Sequence, residues 1–182
     1  MQNVKKTTFK PQRKRWEDIF TYIEDTPQLQ DIVVSGGDCY ILTADNLRLI
    51  GERLISIPHI KRFRFATKGL AVSPARILDD SDGWAAEMIR LSALAKKAGK
   101  SMAIHTHFNH PREMTWVSKM ALQKLHENNV TVRNQTVLLK GVNDDVATMS
   151  SLIKTVADNN VIPVRISCLI HIFQARTHAN II

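Results

Sequence analysis

The stretch Ser101-Met102-Ala103-Ile104-His105-Thr106-His107-Phe108-Asn109-His110-Pro111 starts as an apolar strand and ends as a polar cluster. About thirty residues on, the plan repeats: Thr131-Val132-Arg133-Asn134-Gln135-Thr136-Val137-Leu138 runs into Leu139-Lys140-Gly141-Val142-Asn143-Asp144-Asp145. Strands that each finish in imidazoles, amides or carboxylates describe the rim of a β/α core, where several strands donate side chains to one site.

Working outward, further β-branched or aromatic runs begin near Asp31 (Ile32, Val33, Val34), Lys61 (Phe63, Phe65) and Val161 (Ile162, Val164, Ile166). Their separation is the length of a strand, crossover helix, strand unit, which predicts a parallel sheet. The segments between carry helical periodicity, as in Leu47, Ile50, Leu54, Ile57 and in Val146, Met149, Ile153, Val156. Thr43, Thr115 and Asn143 are expected helix caps, and Gly99, Asn128-Asn129 and Asn159-Asn160 suit left-handed exits. An earlier helix spans about Arg15 to Glu24, and Ser73 to Gly83 is read as a lengthened loop. The expected fold is α/β: a partial (β/α) barrel of about five parallel strands with outer helices. Five strands fall short of the eight or so that close such a barrel.

The 182 residues suffice for one cored domain, read as a basic extension at 1–14, a partial barrel at 15–164 and a tail at 165–182. The formal net charge is +8, and Lys5, Lys6, Lys10, Arg13, Lys14 and Arg15 all precede the first acid, Glu17. That start lacks interleaved aromatics that could stack bases, so a solvated terminus is favoured over a nucleic-acid arm. No apolar run approaches the ~18 residues of a membrane span, and no secretory core follows the basic start. An intracellular chain is expected, cytoplasmic by preference, with a mitochondrial address as the alternative. Cys39 and Cys168 are two thiols, which excludes a disulfide framework or a multi-cysteine metal site within the chain.

Four rim clusters could carry chemistry. Ser35-Gly36-Gly37-Asp38 offers close backbone approach and a carboxylate for an ammonium or a ribose hydroxyl. Thr67-Lys68-Gly69 places a cation that either meets an anion or is simply solvated. His105 and His107 lie two apart, so an extended backbone turns both the same way. They are read as metal ligands, as cofactor contacts, or as satisfied structural histidines. Asn134 and Gln135 interrupt an apolar strand, and an unpaired buried amide costs about 1 to 3 kcal/mol, so each demands a polar partner.

At these residues the chain resembles the lysine 2,3-aminomutase family, enzymes dependent on S-adenosylmethionine radicals and pyridoxal phosphate. The resemblance rests on Val34-Ser35-Gly36-Gly37-Asp38, on Ile57-Pro58-His59-Ile60 with Arg64-Phe65-Ala66-Thr67-Lys68, on His107-Phe108-Asn109-His110-Pro111-Arg112-Glu113, and on Asn134-Gln135 through Asp144. It covers about residues 9 to 163 and includes Phe9-Lys10-Pro11 and Arg15-Trp16-Glu17. It implies a partial (β/α)6 barrel, a four-iron four-sulfur cluster on a C-x3-C-x2-C loop, S-adenosylmethionine, pyridoxal phosphate on a lysine, and migration of the 2-amino group of an amino acid to carbon 3. It further implies that Ser35, Gly36, Gly37 and Asp38 resemble the turn holding the methionine amino group. His107 and Gln135 resemble contacts to the same cofactor, with His105 and Asn134 as weaker carry-overs by adjacency.

The departures are also plain. The cysteine loop would lie before residue 1, and the lysine for pyridoxal phosphate and the acids for a substrate amine would follow the part that matches. After about Val164 the likeness ends. The expectation is therefore a piece of the family's core, lacking both ends of it and inactive as it stands. Two alternatives come from other classes. One is a metal-dependent hydrolase on His105 and His107, with Asp38 as a further ligand. The other is a non-catalytic module that self-associates through open edge strands at residues 31 to 35 and 161 to 168.

Overall fold

A computed structural model describes the backbone from residue 13 to residue 168 and the side chains from residue 15 to residue 164. The basic extension at 1–14, the Phe9-Lys10-Pro11 match and the tail at 165–182 thus lie wholly or mostly outside the described residues.

The apolar runs fold as strands β1 (Asp31–Val34), β2 (Arg62–Ala66), β3 (Ser101–Thr106), β4 (Thr131–Leu138) and β5 (Val161–Cys168). All four pairings are parallel and the spatial order is the order in sequence, β1-β2-β3-β4-β5. Each crossover carries a long helix: α2 (Ala44–Ser56), α5 (Trp84–Lys97), α6 (Trp116–Glu127) and α7 (Val146–Asp158), with α1 (Arg13–Glu24) ahead of β1. This is the expected α/β architecture, five parallel strands curved as part of a (β/α) barrel. Among the described residues no helix is long and apolar enough to cross a membrane.

The core lies on one face of the sheet. Val34, Phe65, Ile104 and Val132 stand in register across four strands, with Phe63 beside Met102, and all are buried. Onto them pack the helix stripes read from periodicity, among them Leu47, Ile50 and Leu54 of α2, Leu91 and Ala95 of α5, Leu122 and Leu125 of α6, and Leu152 and Val156 of α7. α5 lies on β3, α6 on β4 and α7 on β5. At roughly 1.5–3 kcal/mol per fully buried large apolar side chain, this layer is the main source of stability.

The other face is different in kind. Arg62 and Asp31 are register partners, as are Ala66, His105 and Arg133, so these side chains share the concave face with Arg64 and Ala103. Asp31 bridges Arg62 Nε and Arg64 Nη2, each at 3.1 Å.

Caps were partly legible. Thr43 accepts from Asn46 N and Thr115 from Ser118 N, while Asn129, Asn160 and Gly99 take positive φ at helix exits. The expected cap Asn143 is corrected: Asp145 caps α7, accepting from Thr148 N at 2.8 Å. Asn143 is fully buried, and its amide stitches the loop after β4 to the loop after β3. The expected loop Ser73 to Gly83 contains a helical turn, α4 (Ala75–Leu78), just after α3 (Gly69–Val72). Both are four residues long, too short to show an apolar period.

Candidate functional site

The C-terminal ends of the strands meet at one rim, as parallel order requires. After β1, Ser35, Gly36 and Gly37 are exposed, and Gly36 adopts φ 106°, in the region that favours glycine. Nothing within 4 Å would meet a Cβ on Gly37, so the turn is open to close backbone approach. Asp38 closes the turn: one carboxylate oxygen accepts from Tyr40 N and the other from Lys68 N, both at 2.9 Å. The first rim cluster is thereby tied to the second.

Lys68 is an internally paired cation, held within the rim itself. Its ammonium donates to the His107 carbonyl at 2.9 Å and to Glu113 Oε1 at 3.0 Å. The second Glu113 oxygen accepts from Asn109 N at 2.6 Å. Asn109 Oδ1 in turn accepts from Val137 N, and Asn143 Nδ2 donates to the carbonyls of Asn109 and Val137. The loops after β1, β2, β3 and β4 are thus held in one hydrogen-bonded run along the rim.

His105 and His107 face the same way, their rings stacked with centroids 6.2 Å apart and planes at 19°. Burial, Arg64, His107 and Arg133 push the His105 imidazole down to about 4, against a smaller opposing effect of Asp31. His105 is 8% exposed and its Nε2 has no partner. His107 is also lowered, by burial and then Lys68, while its hydrogen bond to the Gln135 backbone and Asp38 pull the other way. Both rings are therefore neutral near pH 7, His107 at the mouth and His105 one layer deeper.

Asn134 and Gln135 are neighbours in sequence and face opposite ways, since successive strand residues alternate. Asn134 is 2% exposed. Its Oδ1 accepts from Phe108 N at 2.7 Å, and its Nδ2 donates to Phe108 O at 3.0 Å and Thr136 Oγ1 at 2.9 Å. The polar partner demanded by the sequence is this backbone. Gln135 lies on the concave side with His107, half-buried. Of the expected site residues, Ser35, Gly36, Gly37, Asp38, His107 and Gln135 share the rim, His105 lies beneath, and Asn134 stands behind it.

Similarity to known proteins points the same way. No family model matches the chain. Over 150 residues, 82% of this chain, it is 35% identical to the L-lysine 2,3-aminomutase of Clostridium subterminale, covering 33% of that protein. The chain is a homologue of the lysine 2,3-aminomutases. The L-lysine 2,3-aminomutase of Fusobacterium nucleatum is 35% identical over 76% of this chain and 30% of its own length. The glutamate 2,3-aminomutase of Clostridioides difficile is 36% identical over 75% of this chain and 30% of its own length. The chain spans about 30% to 42% of the length of the curated relatives it matches.

The open turn at Ser35 to Gly37 and the neutral, half-buried His107 beside Gln135 fit an amino-acid headgroup and a nucleoside edge. The described side chains do not fit an iron–sulfur cluster: the one cysteine among them, Cys39, is buried and held well above the usual range by burial and Asp38. Among the described residues no three His, Cys, Asp or Glu side chains gather closely enough to hold a metal ion. Among those residues His105 and His107 therefore lack the third ligand that the hydrolase alternative needs.

Proposed function

We propose that this chain forms the S-adenosylmethionine-binding rim of an aminomutase of the lysine 2,3-aminomutase type. The reading is carried by one juxtaposition: an exposed Gly-Gly turn after β1, fixed by Asp38, on the same rim as a neutral His107 joined to Gln135. Backbone groups of Ser35 to Gly37 would hold the methionine amino group, with Asp38 adding negative charge beside them. His107 and Gln135 would contact the remainder of the molecule. His105 and Asn134 support these groups from the layers below and behind. When bound and reduced by a cluster, S-adenosylmethionine supplies a carbon radical able to abstract hydrogen; this chain's residues bind it, orient it and keep a neutral imidazole facing it.

The 182 residues hold two cysteines, one short of the three thiolates that the cluster uses, so the chain by itself binds without turning over. Isothermal titration of the chain with S-adenosylmethionine is expected to give one saturable site. That site weakens about tenfold in His107→Ala and in Gln135→Ala, the loss of roughly one good hydrogen bond. Heat that does not saturate, or variants that bind as the parent does, would refute the assignment. Anaerobic reconstitution is expected to give no β-lysine from lysine; production of it would overturn the statement on turnover.

A further inference from the structure

We propose that Lys68 is a positioning residue which, with Glu113, sets His107 against the Gly-Gly turn. The inference rests on the cofactor reading of this rim and goes beyond it by assigning work to a side chain that touches no cofactor. β2 lies between β1 and β3 and ends at Ala66, so the residues that follow it, Thr67 and Lys68, lie between the two flanking turns. Lys68 uses that place fully. Its backbone N–H holds Asp38 at 2.9 Å, and its ammonium holds the His107 carbonyl at 2.9 Å. Glu113, paired with the same ammonium at 3.0 Å, takes the next free amide of the turn, Asn109 N, at 2.6 Å.

Two magnitudes separate positioning from general stability. The Lys68 and Glu113 side chains are 38% and 30% exposed, and ion pairs that open to solvent contribute little to folding. The fold is held instead by the buried layer on the helical side of the sheet. Yet immobilising a lysine costs much of its large rotamer entropy, which is offset here because one ammonium serves two acceptors at hydrogen-bond distance. The pair therefore changes the stability of the fold little and acts on the placement of the His107-Phe108-Asn109 turn. A displacement of about 1 Å at a binding group is enough to cost large factors in function.

The test uses the full 182-residue chain and Lys68→Met, Lys68→Arg, His107→Ala and the double variant Lys68→Met/His107→Ala. S-adenosylmethionine is the titrant, and exchange of the Asn109 amide is followed by NMR without ligand. Lys68→Met is expected to weaken binding about tenfold, Lys68→Arg to restore it to within about threefold, and Asn109 exchange to quicken about tenfold in Lys68→Met. In the His107→Ala background the added loss from Lys68→Met should fall below twofold, because the lysine acts through that histidine. Unchanged binding in Lys68→Met, an equal loss with and without His107, or unchanged Asn109 exchange would each overturn the positioning role. A parent chain that does not bind S-adenosylmethionine strikes the cofactor reading instead, and Asn109 exchange then decides the positioning of the turn by itself.

Discussion

Replacing Asn134 by alanine separates a structural role for this amide from a cofactor contact. The truncation removes an acceptor 2.7 Å from Phe108 N and donors 3.0 Å from Phe108 O and 2.9 Å from Thr136 Oγ1. Phe108 O keeps a second partner, Thr136 Oγ1 at 3.0 Å, so it is not stranded. Phe108 N is stranded, beside a fully buried ring, at a cost of about 1 to 3 kcal/mol. The other lost bonds add about 1 kcal/mol in total, because part of each is recovered by relaxation. The expected loss is about 3 kcal/mol, large for a single substitution in a domain whose whole stability is of order 10 kcal/mol. Urea unfolding followed by circular dichroism should show a lower midpoint with an unchanged slope, the signature of altered stability alone. Asn134→Asp should lose at least as much at pH 7, since it sets a buried carboxylate against the Phe108 carbonyl. Part of that loss should return at low pH, where protonation restores one donor. A stability for Asn134→Ala within 1 kcal/mol of the parent would refute the reasoning.

Other substitutions probe separate links. His105 sits at about 4 when folded and near its ordinary 6.5 when unfolded, so only the unfolded chain takes the proton between those values. Stability from this group is complete above about pH 6.5 and is lost as pH falls towards 4, by up to ~3 kcal/mol at 1.36 kcal/mol per unit; urea midpoints across this range should fall, and a His105→Gln chain that falls equally would assign the loss elsewhere. A Cβ on Gly69 would enter the ring of Tyr40, which cannot retreat because its hydroxyl donates to Ser73 O at 2.8 Å and its ring packs edge-on to Trp84 at 4.9 Å. Gly69→Ala should cost about 1 to 3 kcal/mol by thermal unfolding, and a neutral result would mean that the turn after β2 yields freely. Asp145→Ala, which uncaps α7, should cost about 1 kcal/mol, whereas the same change at Thr148, whose part in the cap is its backbone N–H, should cost less than half of that; equal losses would remove Asp145 as the cap.

The parallel sheet was legible because each strand begins one crossover unit after the last and each helix carries an apolar stripe. That Ser35 to Asp38, His107 and Gln135 lie at strand ends on one rim was likewise legible from the strand spacing, whereas the roles given to them rest on the family resemblance. What escaped the sequence was long-range. Asn143, Asp144 and Asp145 can all cap a helix, and the bond that removes Asn143 from the choice goes to Asn109 O, 34 residues away. Asn134 was carried over to the site by adjacency to Gln135, although strand alternation alone sends the two to opposite faces. Lys68 stayed open between an anion contact and a solvated cation because its partners, His107 O and Glu113, lie 39 and 45 residues downstream. The short helices α3 and α4 hold too few residues for any periodicity to register.

Parallel sheets are ordinarily covered by helices on both faces, and their strands read as near-continuous apolar runs. β2 instead reads Arg62-Phe63-Arg64-Phe65, and only its phenylalanine side is buried. On the concave face, Arg62, Arg64 and Arg133 stand with Asp31 as the only carboxylate among the described strand residues there. This imposes a selection rule on anything that would close the arc. An apolar sheet or helix laid there would strip water from guanidinium groups without replacing it, at several kcal/mol per ion. Carboxylates or other acceptors at its inward positions would instead be drawn in, so the charge pattern of one half of such a barrel prescribes that of the other.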